Sequence, residues 1–272
     1  MKKILALTLM TVFFLGLAGT LWAEPANDLF DLLNRVKQEI NLQLKHTDRD
    51  LSLAAKEMSR DNLKPEESRK ILLQLSQTNP AVIDCAFVNP EGIMKMVEPK
   101  TYKKSEGRDI SSQEQMKKLR ETKKPVASNY FFSIEKTKSL DFEYPINKNG
   151  KFLGSVSLMV NPEKYFGVHI RKMGLEKEKR YYWTVIQTDG TMLYDTDNTQ
   201  IGKNVFTDPY YKKYPDIRRV VKNVTQIKSG SDIYTETEHH TQGTVQVYWD
   251  TVKIYGTEYK IMNMKLISEK KI

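Results

Sequence analysis

Apolar positions recur at helical spacing from Asn27 to Met58. Leu29, Leu33, Val36, Ile40 and Leu44 begin the series, and Leu51, Ala54 and Met58 continue it beyond a polar gap at His46 to Asp50. No Pro or Gly interrupts the run, so it predicts one amphipathic helix of about eight turns. The gap leaves two shorter helices joined near His46 as the alternative. Pro65-Glu66-Glu67 then opens a second helix, with Pro at an early position and acids in the first turn. Its apolar face is Ile71, Leu72 and Leu75, and Thr78-Asn79-Pro80 ends it.

From Ala81 the pattern changes to short apolar runs separated by turns. Ala81 to Val88 and Ile93 to Val97 are strands around Gly92, and a helix follows from Ser111 or Ser112 to Leu119. Three more strands run through Tyr130-Phe131-Phe132, Leu140 to Ile146 and Phe152 to Val160, the last pair joined by Asn149-Gly150. Asn161-Pro162 starts a connecting helix to Met173, with Gly167 weakening its middle. The order then repeats: strands 181–186 and 191–194, a helix 214–223, and strands 231–238, 243–252 and 256–266. Phe87-Val88-Asn89-Pro90-Glu91-Gly92-Ile93-Met94 and Val185-Ile186-Gln187-Thr188-Asp189-Gly190-Thr191-Met192-Leu193 are versions of one hairpin. Gly107-Arg108-Asp109-Ile110 follows the first and Gly202-Lys203-Asn204-Val205 the second. The copies stand about one hundred residues apart, a small module's length.

The fold class is therefore α+β: two tandem modules, each an antiparallel sheet of five to six strands with flanking helices, joined along a long N-terminal helix. The expected boundaries are a leader at 1–23, helices at 24–79, the first module at 80–161, a connecting helix at 162–180 and the second module at 181–268, with the charged run Lys177 to Arg180 between modules.

Met1-Lys2-Lys3 followed by an apolar run from Ile4 to Trp22 and Ala23 has the form of a secretory signal, with a retained membrane anchor as the alternative. This places the protein in the periplasm or outside the cell, or anchored to the inner membrane by residues 4–22. Cys85 is the only cysteine, so no internal disulfide forms, and its apolar strand setting marks an inert buried thiol. The formal charge of +9 is spread among interleaved acids with no basic block. That argues against nucleic acid and suits an anionic bilayer surface.

The combination resembles the double Cache sensor module, a PAS-like extracytoplasmic fold. The features that carry the likeness are the long helix, the Gly-centred hairpins at 89–92 and 188–190, Gly202 to Val205, Pro209-Tyr210-Tyr211, and the Trp249 strand followed by Gly256. The resemblance implies that the modules stack along the long helix and that the first, membrane-distal module holds a small ligand. Amino acids, amines, carboxylates and purines are ligand classes of such modules. It also implies dimers through the long helix, for which Leu29, Leu33, Val36 and Ile40 are the stripe. Such sensors usually continue into a second membrane span and an output domain. Here Ile272 follows closely on the last strand, and the expectation is a binding protein that signals through a membrane-bound partner, with a ligand-free interaction module as the alternative.

A pocket for a small polar molecule needs aromatic walls and a few convergent polar groups. In the first module the candidates are Arg108, Tyr130, Phe132, Asp141 and Tyr144, with Asp141 meeting an amine and Arg108 a carboxylate. Strand alternation puts Tyr130 and Phe132 on one face with Phe131 opposite, and sets Asp141 opposite Tyr144 unless Asp141 lies in the preceding turn. In the second module the set is Tyr182, Tyr210, Tyr211, Tyr234, Tyr248 and Asp250, an aromatic box closed by an acid that suits a cation. Plain core packing is the competing reading of these aromatics.

No metal or cofactor is expected. His239-His240 on a strand point to opposite faces. Asp195-Thr196-Asp197-Asn198 starts like a calcium loop, but Gln200 and Phe206 stand where Gly and Glu belong. No nucleophile elbow, phosphate loop or metalloprotease helix is present, so the expectation is binding and not catalysis.

Overall fold

The computed structural model describes residues 28–173, 181–238 and 241–271. The leader at 1–23, the charged run 177–180 and the pair His239-His240 lie outside these described residues.

The apolar series forms one unbroken helix, α1 (Asp28–Met58), of 31 residues and roughly 46 Å. The polar gap does not divide it, because α4 (Pro162–Lys172) crosses there and meets it with polar groups. Gln43 Nε2 donates to the Tyr165 carbonyl at 3.0 Å, Thr47 Oγ1 and Tyr165 Oη lie 2.8 Å apart, and His169 Nε2 donates to Gln43 Oε1 at 2.5 Å. Gly167 stays helical inside α4, and a side chain there would collide with the Tyr194 ring, so the glycine serves close packing. The short helix α2 (Pro65–Ser76) has Pro at its start, and Glu67 accepts the Lys64 backbone N–H at 3.0 Å.

The first sheet holds β1 (Val82–Val88), β2 (Met94–Glu98), β3 (Val126–Ala127), β4 (Phe131–Phe132), β5 (Lys138–Lys148) and β6 (Lys151–Val160). All pairings are antiparallel, in the order β2-β1-β6-β5-β3, with β4 also on β5. Helix α3 (Glu114–Thr122) covers its outer face. The second sheet holds β7 (Tyr181–Gln187), β8 (Met192–Asp195), β9 (Gly230–Glu238), β10 (Thr241–Ile254) and β11 (Thr257–Lys271), in the order β8-β7-β11-β10-β9, with α5 (Pro215–Gln226) on its outer face.

The duplication extends to individual hydrogen bonds. In the first module Gly107 N donates to Met94 O at 2.8 Å and Ile110 N to Gly92 O at 2.9 Å; in the second, Gly202 N donates to Met192 O at 2.8 Å and Val205 N to Gly190 O at 3.0 Å. Gly92 and Gly190 turn at φ +92° and +88°, a conformation that disfavours a side chain. Each hairpin thus receives the returning segment that follows it.

One continuous core joins α1 to the inner faces of both sheets. It includes Leu33, Val36, Phe142, Leu158, Trp183 and Tyr259, all essentially inaccessible to solvent. The stripe Leu29, Leu33, Val36 and Ile40 is spent in this core, so it is not the free dimer surface expected of it; a 3.6-residue period marks a buried face without saying what buries it. The exposed apolar residues of α1 are Phe30, Leu42 and Leu53. No helix among the described residues is long and apolar enough to cross a membrane.

Candidate functional site

The outer faces of the two sheets differ in what lies on them. In the second module a cavity of about 280 Å³ opens between the sheet, α5 and the segment after β8. Strand alternation builds its floor. Tyr182 and Thr184 of β7, Asp195 and Met192 of β8, Met262 and Met264 of β11, and Tyr234 and Glu236 of β9 all line it. The roof is Ile217, Val220 and Val221 of α5, with Tyr210, Tyr211 and Tyr214 from the 3-10 turn before it. Asp197 and Gln200 close one side.

Hydrogen bonds hold these groups in place. Tyr211 Oη donates to Gln200 Oε1 at 2.9 Å, and Gln200 Nε2 donates to Asp197 Oδ2 at 2.8 Å. Thr184 Oγ1 donates to Asp195 Oδ2 at 2.6 Å, while the Asp197 backbone N–H donates to Asp195 Oδ1 at 2.8 Å. Burial pushes the Asp195 carboxyl up to about 6, and neighbouring Asp197 adds to it against the hydrogen bonds. Burial, then nearby carboxylates, raises the phenols of Tyr211 and Tyr234. Asp197 is held below the usual range, first by Gln200. At the rim, Lys203 Nζ lies 4.3 Å from the centre of the Tyr210 ring, and Lys213 Nζ lies 4.9 Å from that of Tyr214.

The first module's outer face is closed around its buried carboxyls, and a shallow groove of about 380 Å³ runs beside α3 along the exposed Lys117, Arg120, Glu121 and Lys123. The small residues Ala86, Ser155 and Ser157 of this face lie under α3, whose Met116 and Leu119 are fully buried. A space of about 20 Å³ remains beside Asp84, Asp141, Ser157 and Phe131. Three carboxyl groups, Asp84, Asp141 and Glu143, are buried on this face. Asp141 accepts from Ser157 Oγ at 2.7 Å, Asp84 Oδ2 has no hydrogen-bond partner among the described residues, and Glu143 lies against Ser155 and Asp141. Burial first, then neighbouring acids, drives Asp84 and Glu143 well above the ordinary carboxylate range; Asp141 is raised by burial against its hydrogen bonds.

The comparisons with known proteins meet this geometry. Residues 42–162 match the sequence model of the HK/GC/chemotaxis protein-like sensor domain. An extracellular ligand binding receptor from Desulfohalobium retbaense superposes with a TM-score of 0.72 at 29% identity over 88% of this chain. The chain spans 40% of that receptor's length. The ligand-binding domain of the Pseudomonas aeruginosa amino acid chemoreceptor PctC, in complex with GABA, gives 0.63 at 14% identity over 88% of this chain and 98% of its own. That of the Pseudomonas fluorescens chemoreceptor CtaA, in complex with L-isoleucine, gives 0.60 at 15% identity, covering 88% and 93%. This is the double Cache-type sensor fold. No curated protein matches the chain in sequence.

Within this sensor fold the sequence candidates separate. Tyr182, Tyr210, Tyr211 and Tyr234 line the second-module cavity. Tyr248 and Asp250 lie on the opposite face of the sheet, against α1: Tyr248 meets Phe30 edge-on at 6.3 Å, and Asp250 pairs with Lys37 at 2.5 Å. The reason is register, because β10 turns its even positions 248 and 250 inward while Val245 and Val247 belong to the outer core. In the first module Asp141 borders the small space, but its expected companions do not join it. Arg108 is exposed, Phe132 is 68% exposed, and Tyr144 faces the inner core beside Tyr255. Phe131, not Tyr130, faces the small space. Tyr130 lies between the modules: its N–H donates to Gln187 Oε1 at 2.8 Å, and its hydroxyl abuts Gly202.

Reasoning from sequence left out the cavity's acids. The sequence pattern offers Asp195 and Asp197 only as the start of a calcium loop, and no group of ligands for a metal ion exists among the described residues. Glu236 was legible as the same-face neighbour of Tyr234 at a period of two, and Thr184 likewise as that of Tyr182.

Proposed function

We propose that the protein is a small-molecule-sensing domain that works outside the cytoplasm, with its ligand site in the second-module cavity and with binding, not turnover, as its task. The observation that carries this reading is the contrast in space against the sheets, about 280 Å³ between the second sheet and α5 against about 20 Å³ beside the buried carboxyls of the first. The larger figure is close to the lower end of ordinary ligand pockets, about 300 Å³. Wider grooves of about 530 Å³ beside α1, about 370 Å³ at the end of α1 and about 380 Å³ beside α3 are bordered by exposed polar or charged side chains, such as Glu39, His46 and Arg49 in the first, Arg60 and Asn62 in the second, and Lys117 and Arg120 in the third. The matched sensor family, the extracellular receptor and the amino acid complexes of the chemoreceptor domains support a small polar ligand met outside the cell. The leader-like start agrees with that setting. The described residues form two sensor modules and their helices, so the reading of an occupied cavity falls to a second polypeptide or to another segment.

A thermal-shift and calorimetric screen of the purified protein against amino acids, amines, short carboxylates and purines tests this. A ligand at 100 times its Kd adds about 2.7 kcal/mol to the stability of the folded state. Ile217→Trp, placed on α5 to fill the cavity, is expected to abolish that shift. Binding that survives Ile217→Trp puts the site elsewhere, and a flat screen overturns the reading.

A further inference from the structure

The cavity's lining is one-sided in charge. The chain carries 43 basic and 34 acidic residues, so a random patch leans basic. Yet among the described residues the cavity is lined by Asp195, Asp197 and Glu236 and by no Lys, Arg or His. Lys203, at the rim, is the cation that acts on Asp197. The groups that act on Asp195, among the described residues, are a hydroxyl, a backbone N–H and another carboxylate. Each of its oxygens accepts one hydrogen bond and keeps a second lone pair.

The remaining walls favour the same kind of occupant. Five tyrosines present ring faces and phenol oxygens, and ring faces attract cations. The chain itself uses them so, with Lys203 and Lys213 stacked on Tyr210 and Tyr214 at the rim. Met192, Met262 and Met264 supply a soft apolar floor for a hydrocarbon body. A carboxylate inside the cavity would meet Asp195 and, among the described lining residues, no guanidinium.

We propose that the second-module cavity takes an organic cation without a carboxylate, an alkyl- or arylammonium compound, with its charge against Asp195 and its body between the tyrosines and the methionine floor. This rests on the reading that the cavity is the ligand site. It sets the ligand apart from an α-amino acid, whose carboxylate has no counterpart within this lining.

A matched four-carbon series separates the possibilities: 1-aminobutane, γ-aminobutyrate, butyrate and 1-butanol, with phenethylamine and phenylacetate as an aromatic pair. Calorimetry on the purified protein at pH 7.5 is expected to rank each amine above its zwitterionic, anionic and neutral counterparts. Asp195→Asn is expected to weaken the amine on the order of tenfold or more and to leave 1-butanol within twofold. The substitution keeps shape, and a melt confirms folding.

A pH series with tetramethylammonium, whose own charge is fixed, gives an independent check. Its affinity is expected to fall about tenfold per unit once pH drops below Asp195's value of about 6. Asp197, Glu236, Tyr182, Tyr211, Tyr234 and the rim Lys203 share this surrounding. Of these, the raised phenols of Tyr211 and Tyr234 and the lowered Asp197 keep one state in that window. Tighter binding of butyrate or γ-aminobutyrate, sensitive to Ile217→Trp, overturns the cation and leaves the cavity as the site. The same holds if none of the amines binds while the wider screen finds another class in the cavity. Absence of any ligand in either experiment overturns both readings.

Discussion

The outer faces of the two sheets start from the same strand order and the same hairpin hydrogen bonds, yet one is packed shut and the other is hollow. On the first, Ala86, Ser155 and Ser157 are small, so α3 settles onto the sheet and brings Met116 and Leu119 into full burial. On the second, α5 offers Val220, Val221 and Ile217 above long methionines and tyrosines, and short side chains facing long ones leave the space unfilled. The acids follow the same division. Those of the first face are sealed in without cations, whereas Asp195 and Glu236 border open space. A duplicated fold thus keeps its frame of backbone hydrogen bonds while side-chain size decides which copy has room for a ligand.

The largest effect that tests this contrast is on stability. Met116→Ala removes a side chain from the closed face, and a loss of about 2–5 kcal/mol is expected. Met264→Ala, which borders the cavity, is expected to cost less than about 2 kcal/mol, because the deleted atoms had space on one side already. Urea unfolding of the two variants measures the difference. Equal losses would mean that the second face is as tightly packed as the first.

Much of this architecture is legible in the sequence. The period of 3.6 over Leu29 to Met58 and the period of two over Phe152 to Val160 follow from burial of one face, and burial leaves a mark on every turn. Four cavity tyrosines were legible for the same reason. What could not be read was which face of a sheet meets the long helix. Tyr248 and Asp250 lie as regularly on their strand as Tyr234 and Glu236 do on theirs, and only the assembled register turns one pair inward and the other out. The closure of the first module was hidden too, since it depends on small residues of β1 and β6 coming together under α3, a long-range event that local pattern does not encode.

A middle-sized effect concerns the sealed acids and pH. Asp84, Asp141 and Glu143 have raised values in the folded state, mainly through burial, while in the unfolded chain they ionise near 4. Above that point the folded state holds more protons than the unfolded one, so stability falls as pH rises toward the raised values. His169 acts oppositely. Burial lowers it, so acid below its ordinary 6.5 favours the unfolded chain by one proton. The lowered Asp109, Asp216 and Asp232 contribute above the ordinary carboxylate value and lose that contribution in stronger acid, outside the range from pH 5 to 8. The melting temperature is therefore expected to drop as pH rises above 6.5, where His169 no longer opposes the acids. Glu143→Gln should lessen the drop and melt higher than the parent at pH 8, with the two close at pH 5; each kcal/mol amounts to about 2–4 °C in a protein of this size. A variant that melts lower at pH 8 would mean that Glu143 gains more from its surroundings than ionisation costs.

The smallest effect tells the two faces of the second sheet apart. Asp250 and Lys37 form an ion pair at 2.5 Å with side chains 13% and 28% exposed, and it joins β10 to α1 and not to the cavity. Partial exposure lets water screen the pair, so Asp250→Asn is expected to cost about 0.5–1 kcal/mol of stability. Ligand affinity should stay within twofold, because the side chain lies across the sheet from Asp195 and the tyrosines. Lys37→Met should cost a similar amount, and the double variant should cost less than the sum, since each single change removes the same contact. A selective loss of ligand binding in Asp250→Asn, with stability unchanged, would carry the site through the sheet to its inner face. The five cavity tyrosines would then be core packing, and the distinction between the hollow face and the closed one would lose its functional meaning.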